Sequence, residues 1–389
     1  MKTTSLLIKF NQPCICPACQ NLGKVNSTSQ NDLRSNKLIG TETRHFLRAL
    51  SCLLTDRCFS MTSVNSSSSR TIVCRLTTQS LQVEDVDSEL NRVSLVTSLM
   101  VFASAFFAVI ANGLVVVAVW KTTSLRFPSV ILLCCLAVTD FLTGLVNQPS
   151  FVVFNIARIQ GNYNLYCNAS SVWSLVNAFL SNLSFLVITC ASVDRYLALH
   201  LHLRYLEVVS TRRVYLLITI CCVFCCVVLL LQLLGKEGAA FAVEATAQGT
   251  SLLINIVSYR ETFRIIGQHE RKIKSEEKIS CRIHGKTLKH FKRSKKLSHT
   301  MVYVGALFLL CYAPYSAVLI AMAVPLSNSN MISKQLRVAS NVTAMLILLN
   351  ASANPVFYCY RLAEIRKAVF KLLRRLDSKF CSHLSINHC

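Results

Sequence analysis

The sequence predicts an all-α membrane protein: a seven-transmembrane helix bundle with a short amphipathic membrane-surface helix after the seventh span. Three observations predict it. The 389 residues are 53% hydrophobic and only 15% charged, with a mean hydropathy of +0.47. A soluble globular domain carries about 25% charged residues, so this balance is too apolar for one. Seven stretches are long and apolar enough to cross a bilayer, which takes about 20 helical residues. Lys and Arg cluster after every second stretch, as the positive-inside rule requires of a chain threaded back and forth through a membrane.

Residues 1–92 precede the first stretch. They are polar and rich in Ser and Thr, without repeat or strong periodicity, and are expected to be extracellular and disordered. Ser5–Phe10 is too short for the apolar core of a secretory signal, so the first span is expected to act as its own insertion signal. Asn26-Ser27-Thr28 and Asn65-Ser66-Ser67 make Asn26 and Asn65 glycosylation acceptors on an extracellular segment. Cys14, Cys16 and Cys19 have no His or Cys pair after them at zinc-finger spacing and are not read as a metal site.

The spans run from Val93 to Trp120, Pro128 to Phe154, Leu165 to Leu197, Val214 to Leu234, Gly238 to Tyr259, Thr300 to Pro325 and Val338 to Tyr360. The fifth is the weakest, since it carries Glu244, Thr246, Gln248 and Thr250. Charge secures it. The segments after Trp120, Leu197, Tyr259 and Tyr360 are rich in Lys and Arg, above all Arg260–Lys296, while the alternate loops hold little beyond Arg158, Lys236 and Lys334. Without the fifth span, Arg260–Lys296 would share a side with those poor loops. Seven spans put the N-terminus outside and the C-terminus in the cytoplasm. Residues 93–376 then form the membrane domain with its surface helix, and residues 377–389 a cytoplasmic tail.

The net charge of +23 lies mainly beside and between the spans, where it suits anionic membrane lipid and a protein partner. A nucleic-acid partner is argued against, because no folded soluble domain is left to bind one. The 19 Cys do not form a disulfide framework. Cys134, Cys135, Cys221, Cys222, Cys225 and Cys226 lie inside apolar runs, where Cys behaves as a small hydrophobe. Only the N-terminal cysteines and Cys167 are candidates for extracellular pairing.

Polar residues inside the spans carry the functional signal, since ionisable groups in a bilayer are costly and persist mainly where they face a bundle interior. Asp140 sits mid-span and needs a cation, a proton or several donors; Asn112, Ser184, Asn350 and Asn354 are the residues able to surround it. A hydrated pocket holding a small cation such as Na⁺ is expected there. Asn177, Ser181 and Ser184 follow i, i+4, i+7 on one stripe of the third span, with Ser181 and Asn182 also able to hold helices together by interhelical hydrogen bonds. Pro314 and Pro355 interrupt helix hydrogen bonding and are read as hinges of a two-state bundle. Arg195 closes the third span beside Asp194 and Tyr196, positioned to offer its donor fork to a partner.

These residues resemble the rhodopsin-like (class A) G-protein-coupled receptors from Val93 to about Leu376. The resemblance rests on Asn112-Gly113, Leu136-Ala137-Val138-Thr139-Asp140, Ser192-Val193-Asp194-Arg195-Tyr196, Phe308 with Cys311-Tyr312-Ala313-Pro314, and Asn354-Pro355-Val356-Phe357-Tyr358, in that order on the right spans. Arg361–Leu376 is similar to the family's inner-leaflet helix, with Ile365, Val369, Phe370 and Leu373 inward. The resemblance implies a multi-pass plasma-membrane receptor that converts binding of an extracellular small-molecule, lipid or peptide ligand into activation of a heterotrimeric G protein. It implies no catalysis and no cofactor beyond Na⁺ in the bundle. It assigns coupling and activation to Asp194, Arg195, Tyr196, Phe308, Tyr312, Pro314, Asn354, Pro355 and Tyr358. Asp140, Ser184, Asn350 and Asn354 become a Na⁺ pocket. Asn177, Ser181, Glu244 and Tyr315 are taken as ligand-facing.

The chain departs from the family at several points. Tyr312 stands where Trp is usual, the cysteine run from Cys221 to Cys226 where the fourth span has Trp, and Ser251 where the fifth has Pro. Cys167 lies about one turn further out than the family's disulfide cysteine. The loop between Leu234 and Gly238 is too short to supply its partner, so that disulfide is expected to be missing. A near-absent second loop and a proline-free fifth span resemble the melanocortin, lysophospholipid, cannabinoid and adenosine branch. No Lys lies between Lys334 and Lys367, which argues against retinal, and Asn177 replaces the Asp that amine receptors use. Counting back from Pro314, the position usually acidic and facing Arg195 is Ser294, between Arg293 and Lys295. The competing readings are a non-signalling or degenerate receptor copy and a transporter or channel. The last would favour internal repeats and a charged path, and neither is seen.

Overall fold

The computed structural model describes residues 61–66, 69–74, 80–82, 88–201, 204–276, 285–323 and 334–386. Eight long helices dominate: α1 Ser88–Lys121, α2 Pro128–Ile159, α3 Tyr163–His200, α4 Thr211–Leu233, α5 Glu237–Glu276, α6 Gly285–Ala323, α7 Lys334–Arg361 and α8 Ala363–Ile386. Six of the first seven are long and apolar enough to cross a membrane, and α6 has the shorter apolar stretch Val302–Val318. The bundle packs α1 against α2 and α7, α3 against α2, α4, α5 and α6, and α6 against α7.

Each helix sorts its residues by solvent, and here the solvent is lipid. Along α1, Ser94, Thr97, Ser98, Val101, Ala105, Ala108, Asn112 and Val115 are buried at steps of one, three and four, while Leu99, Phe102, Phe106 and Ile110 are exposed. The inner face is therefore more polar than the outer one. Small inward residues let helices approach closely, as in membrane bundles generally. A methyl group on Gly144 of α2 would lie 2.9 Å from the Ala108 side chain and 3.2 Å from the Ala105 carbonyl. Gly144 belongs to a π-helical turn, Thr143–Asn147, just before Pro149. Pro149 has no N–H to give to the preceding turn, and the one-residue bulge absorbs that loss while redirecting the far half of α2.

The links follow local chemistry. Gly161 has φ +68° in the turn after α2, and the Asn162 side chain then caps α3 by accepting from the Leu165 N–H at 3.2 Å. Gly235, at φ +73°, closes the three-residue link between α4 and α5. The fifth helix, the weakest span in sequence, is unbroken over 40 residues and contains no proline.

Two expectations are corrected. Residues 1–92 are expected to lack regular structure, yet Met61–Ser66 (β1), Ser69–Cys74 (β2) and Ser80–Gln82 (β3) form an antiparallel sheet in the order β1-β2-β3. Met61 pairs with Cys74 and Ser66 with Ser69, so two residues make the hairpin turn, and both β1 and β2 lie against α3. β-Branched Thr71, Ile72 and Val73 favour the strand. The surface helix continues to Ile386, past the expected boundary at residue 376. Within it Ile365 and Leu372 are buried against the bundle. At its start Arg366 donates to the Cys359 and Tyr360 carbonyls, tying α8 to the end of α7.

Candidate functional site

At one end of the bundle Arg195 is 5% exposed. Its guanidinium meets Asp194 Oδ2 through Nη2 at 2.5 Å and through Nε at 3.1 Å, and Nη2 also donates to Ser129 Oγ. Ser129 donates to Asp194 Oδ2 at 2.7 Å, and the Tyr205 hydroxyl donates to Asp194 Oδ1 at 2.6 Å. Tyr205 opens a single helical turn, Tyr205–Val208, between α3 and α4. Burial, and then the Asp194 carboxylate, push the Tyr205 phenol up to about 12, so it remains a neutral donor. One carboxylate thus gathers three donors from α2, α3 and the α3–α4 link. Tyr196 does not join them and stacks on His200 with ring centroids 5.3 Å apart. The side chains of Ser294, Arg293 and Lys295 lie outside the described residues.

Midway along the bundle, Asp140 is 4% exposed and its Oδ2 accepts from Asn354 Nδ2 at 2.8 Å. Ser184, expected beside it, instead donates to Thr139 Oγ1 at 2.9 Å. Asn112 donates to the Ala108 and Ala351 carbonyls. The side-chain oxygens of Asn112, Asn350 and Asn354 are buried without a hydrogen-bond partner, as is the Tyr358 hydroxyl. A cavity of about 20 Å³, counted as the space open to the centre of a water molecule, is lined by Asp140, Asn147, Asn177, Ser181, Ser184 and Asn350 among others. That is room for about one water or one small cation. Surplus oxygen acceptors around a carboxylate suit a hard cation.

A hydrogen-bonded thread leads from this cavity to the sixth helix. Asn147 donates to Asn177 Oδ1 at 3.0 Å, Ser181 reaches the same oxygen at 3.4 Å, and the Tyr312 hydroxyl donates to Ser181 Oγ at 2.6 Å. Tyr312 stacks on Phe308 at 4.0 Å, and Phe308 leans on Phe185 of α3 at 5.3 Å. Pro314 lies inside α6 two residues beyond Tyr312, and Pro355 lies inside α7 next to Asn354. The residues expected to act as switch and hinges are thus joined to α3 by one phenol and one aromatic stack.

The four residues taken as ligand-facing do not converge. Asn177 and Ser181 line the central cavity. Glu244 turns into the seam between α3, α4 and α5, where its Oε1 accepts from Asn182 and Gln232, both at 3.1 Å, while Gln248 donates to Asn182 Oδ1 at 3.0 Å. Tyr315 packs against the cluster of Phe151, Phe154, Tyr166 and Trp173, within electrostatic reach of Glu244.

Sequence reasoning missed Ser129, Tyr205, Asn147, Gln148 and Asn255. Asn147-Gln148 are intramembrane amides and could have been flagged on that ground alone. Gln148 donates to the Leu348 carbonyl of α7 at 2.7 Å, and Asn255 exchanges bonds with Thr189 and Ser192 of α3 at 2.9 and 2.6 Å. Tyr205 gave no signal, because its partner is eleven residues away across a helix end. Cys167, a candidate for extracellular pairing in the sequence, is disulfide-bonded, and the link between α4 and α5 holds no Cys to serve as its partner. The two cysteines flanking the second span's centre, the run from Cys221 to Cys226, and Cys190, Cys311 and Cys359 are free thiols. Asn26 and the cluster of Cys14, Cys16 and Cys19 lie outside the described residues. Asn65 lies in β1, paired with Arg70.

The fold and these positions agree with the known proteins the chain matches. The profile described as 7 transmembrane receptor (rhodopsin family) matches residues 111–249 and 240–358. The chain belongs to the rhodopsin family of seven-transmembrane receptors. Melanocortin receptor 4 of Danio rerio is 26% identical over 267 residues, covering 67% of this chain and 78% of that one. The alpha-1A adrenergic receptor of Oryzias latipes is 25% identical over 328 residues, covering 73% and 68%. The crystal structure of squid rhodopsin superposes with a TM-score of 0.60 at 17% identity, over 74% of this chain and 87% of that chain, a likeness of fold. The protein is accordingly a multi-pass receptor of the plasma membrane, in a family of receptors rather than enzymes.

Proposed function

We propose that the protein couples an extracellular ligand to a heterotrimeric G protein, with its N-terminus outside and the Arg195 end of the bundle in the cytoplasm. The observation that carries this reading is the buried Arg195, held by Asp194, Ser129 and Tyr205 at the mouth of a helix bundle. A guanidinium is always charged and offers a planar fork of donors. Held this way it is unavailable; released, it presents that fork to an entering partner. Tyr358 and Pro355 stand on the facing helix, where a shift of α7 would bring the unpartnered Tyr358 hydroxyl toward the opened end.

Transmission from the outer half runs through Asn177, Ser181, Tyr312 and Phe308. A ligand alters a two-state equilibrium only through its differential affinity for the two states. Contacts that move Tyr312 off Ser181 therefore loosen α6 from α3, with Pro314 as the hinge. Asp140, Ser184, Asn350 and Asn354 would hold a Na⁺ ion in the central cavity. The cation would supply positive charge to a carboxylate that has one amide donor, and so favour the closed bundle. Glu244 is satisfied by two amides, so as a ligand counter-ion it would first have to release Asn182 or Gln232. Asn26 and Asn65 are proposed N-glycosylation sites.

The test is a ligand-library screen on cells expressing the receptor with a promiscuous G protein, surface expression being measured in parallel. A ligand-dependent G-protein signal that Arg195→Ala abolishes supports the reading. Surface-expressed protein that passes ion current on its own, without G-protein signal, replaces it with the channel reading.

A further inference from the structure

At the end of the bundle opposite Arg195, four helices bury a polar cluster with an odd charge balance. Arg158 of α2 donates through Nη2 to Ser94 Oγ of α1. Asn341 of α7 donates to the same Ser94 Oγ at 2.9 Å and to Asn155 Oδ1 at 3.1 Å, and Thr97 donates to Asn341 Oδ1 at 3.4 Å. Ser94 and Asn155 are fully buried, and Thr97 and Asn341 nearly so. The Nε of Arg158 is buried and has no hydrogen-bond partner. Among the described residues no carboxylate pairs with Arg158. Its electrostatic neighbours are the Tyr166 phenol of α3 and a second cation, Arg337 of α7, which repels it. Below lies the aromatic layer of Phe151, Phe154, Tyr166 and Trp173, and the Trp173 Nε1 is also buried without a partner.

A guanidinium cannot shed its proton, and holding it half-buried and unpaired by a carboxylate at the edge of a low-dielectric interior is costly. Here the groups around Arg158 are hydroxyls, amides, a phenol and a like charge, none of which neutralises it. Its unused Nε–H and remaining Nη hydrogens form the planar fork that matches two oxygens of a carboxylate or phosphate. We propose that Arg158, with Ser94, Asn341 and Arg337 around it, binds the anionic group of a ligand, a carboxylate or phosphate, at the outer mouth between α1, α2, α3 and α7. The inference rests on the receptor reading for the sidedness of that mouth. Glu244, taken from the sequence as ligand-facing, would be the counter-ion only of a cationic ligand. The ligand class changes sign accordingly.

The test uses full-length receptor purified into phosphatidylcholine nanodiscs, without G protein, so that a failure of coupling leaves the readout intact. Thermal stability is followed with inorganic phosphate, dodecyl phosphate and dodecyltrimethylammonium. The expected result is a rise in melting temperature with a phosphate probe and none with the quaternary ammonium. Arg158→Gln weakens the apparent affinity at least tenfold, and Arg158→Lys retains part of it. Asn341→Asp places a carboxylate beside Arg158 and is expected to fold well while losing the response. It keeps the test informative where Arg158→Gln does not fold. A response to phosphate alone identifies a soluble anion, and a response only to dodecyl phosphate an anionic amphiphile; both support the site. No response to either phosphate probe, equal stabilisation by the quaternary ammonium, or a parent-like response in Arg158→Gln or Asn341→Asp overturns it.

Discussion

Asp194 is the residue on which the closed end of the bundle turns, because it accepts from Arg195, Ser129 and Tyr205 at once. Hydrogen bonds to a charged acceptor contribute about 1.5–3 kcal/mol each. A bond of that strength made only in the closed bundle shifts the equilibrium by about tenfold to a hundredfold, and by less where water takes the place of the lost donor. Tyr205→Phe deletes one donor and leaves the ring in place, so ligand-free G-protein activation at matched surface expression is expected to rise several-fold. Because the Tyr205 phenol is pushed up to about 12, its proton is lost only as pH rises through that value. The difference between parent and variant should accordingly stay constant from about pH 6 to 8. A basal rate unchanged by Tyr205→Phe would show that this bond persists when the bundle opens. At the central cavity the corresponding residue is Asp140. Exchanging choline for Na⁺ is expected to lower ligand-free nucleotide exchange in the parent, and Asp140→Asn should abolish the dependence. Equal rates in the two salts for the parent would dismiss the ion site.

Between elements, the contacts that matter are close approaches made possible by missing side chains. Gly305 of α6 lies under the ring of Tyr259 of α5, and a methyl group there would crowd the phenol oxygen and come within 3.2 Å of Cζ. Overpacking of this kind costs about 1–3 kcal/mol. Gly305→Ala is expected to lower the melting temperature of the purified receptor by several degrees. Since the hydroxyl is the nearest atom, adding Tyr259→Phe should restore part of the loss. A double variant no more stable than Gly305→Ala would place the strain elsewhere. The same logic explains the π-turn in α2: Gly144 meets α1 across Ala108 in the turn that Pro149 disrupts, so chain geometry and helix packing are solved at one position. The disulfide at Cys167 belongs to this scale as well. It ties the end of α3 that carries no loop partner, and β1 and β2 of the N-terminal sheet lie against that helix.

For the whole molecule, the balance between closed and open bundles is set by how its two ends compensate. Many family members hold the arginine at the inner end of the third span with an acidic residue on the sixth; here the corresponding position is Ser294 in a basic stretch. The structure offers a substitute: Asp194, Ser129 and Tyr205 hold Arg195, and among the described residues no side chain of α6 joins them. A latch built from α2, α3 and the α3–α4 link restrains α6 less than one that includes it. Toward α3, the sixth helix is then held by Tyr312 on Ser181 and Phe308 on Phe185, beside its packing on α7. Ligand-free signalling above that of a mock-transfected control is therefore expected. Ser294→Glu, which adds an acid worth about 1 kcal/mol to the closed state at a partly hydrated site, should reduce it several-fold. A silent parent, or a Ser294→Glu variant no quieter, would show that α6 is held by other contacts.

The sequence by itself determined the spans and the residues that break their apolar character. Lipid imposes a simple rule on every helix, about 20 apolar residues with polar exceptions facing inward, and that rule is local. It was enough to find seven helices, the weak fifth among them, and to single out Asp140, Arg195, Asn350 and Asn354. Only the tertiary structure decided who partners whom. Ser184 was expected beside Asp140, and packing gave its hydroxyl to Thr139 instead. Glu244 was taken as ligand-facing, and the α3–α4–α5 seam supplied Asn182 and Gln232 as its partners. Tyr205 and Ser129 became legible only when α2, α3 and the turn at Tyr205–Val208 met around Asp194. A hydrogen bond depends on ångström-scale distances between helices far apart in sequence, and a periodicity read along one helix carries no information about them. The proposed sign of the outer site arises in the same way: Arg158 is one basic residue at a span's end in sequence, and in the fold a half-buried cation without a carboxylate among the described residues.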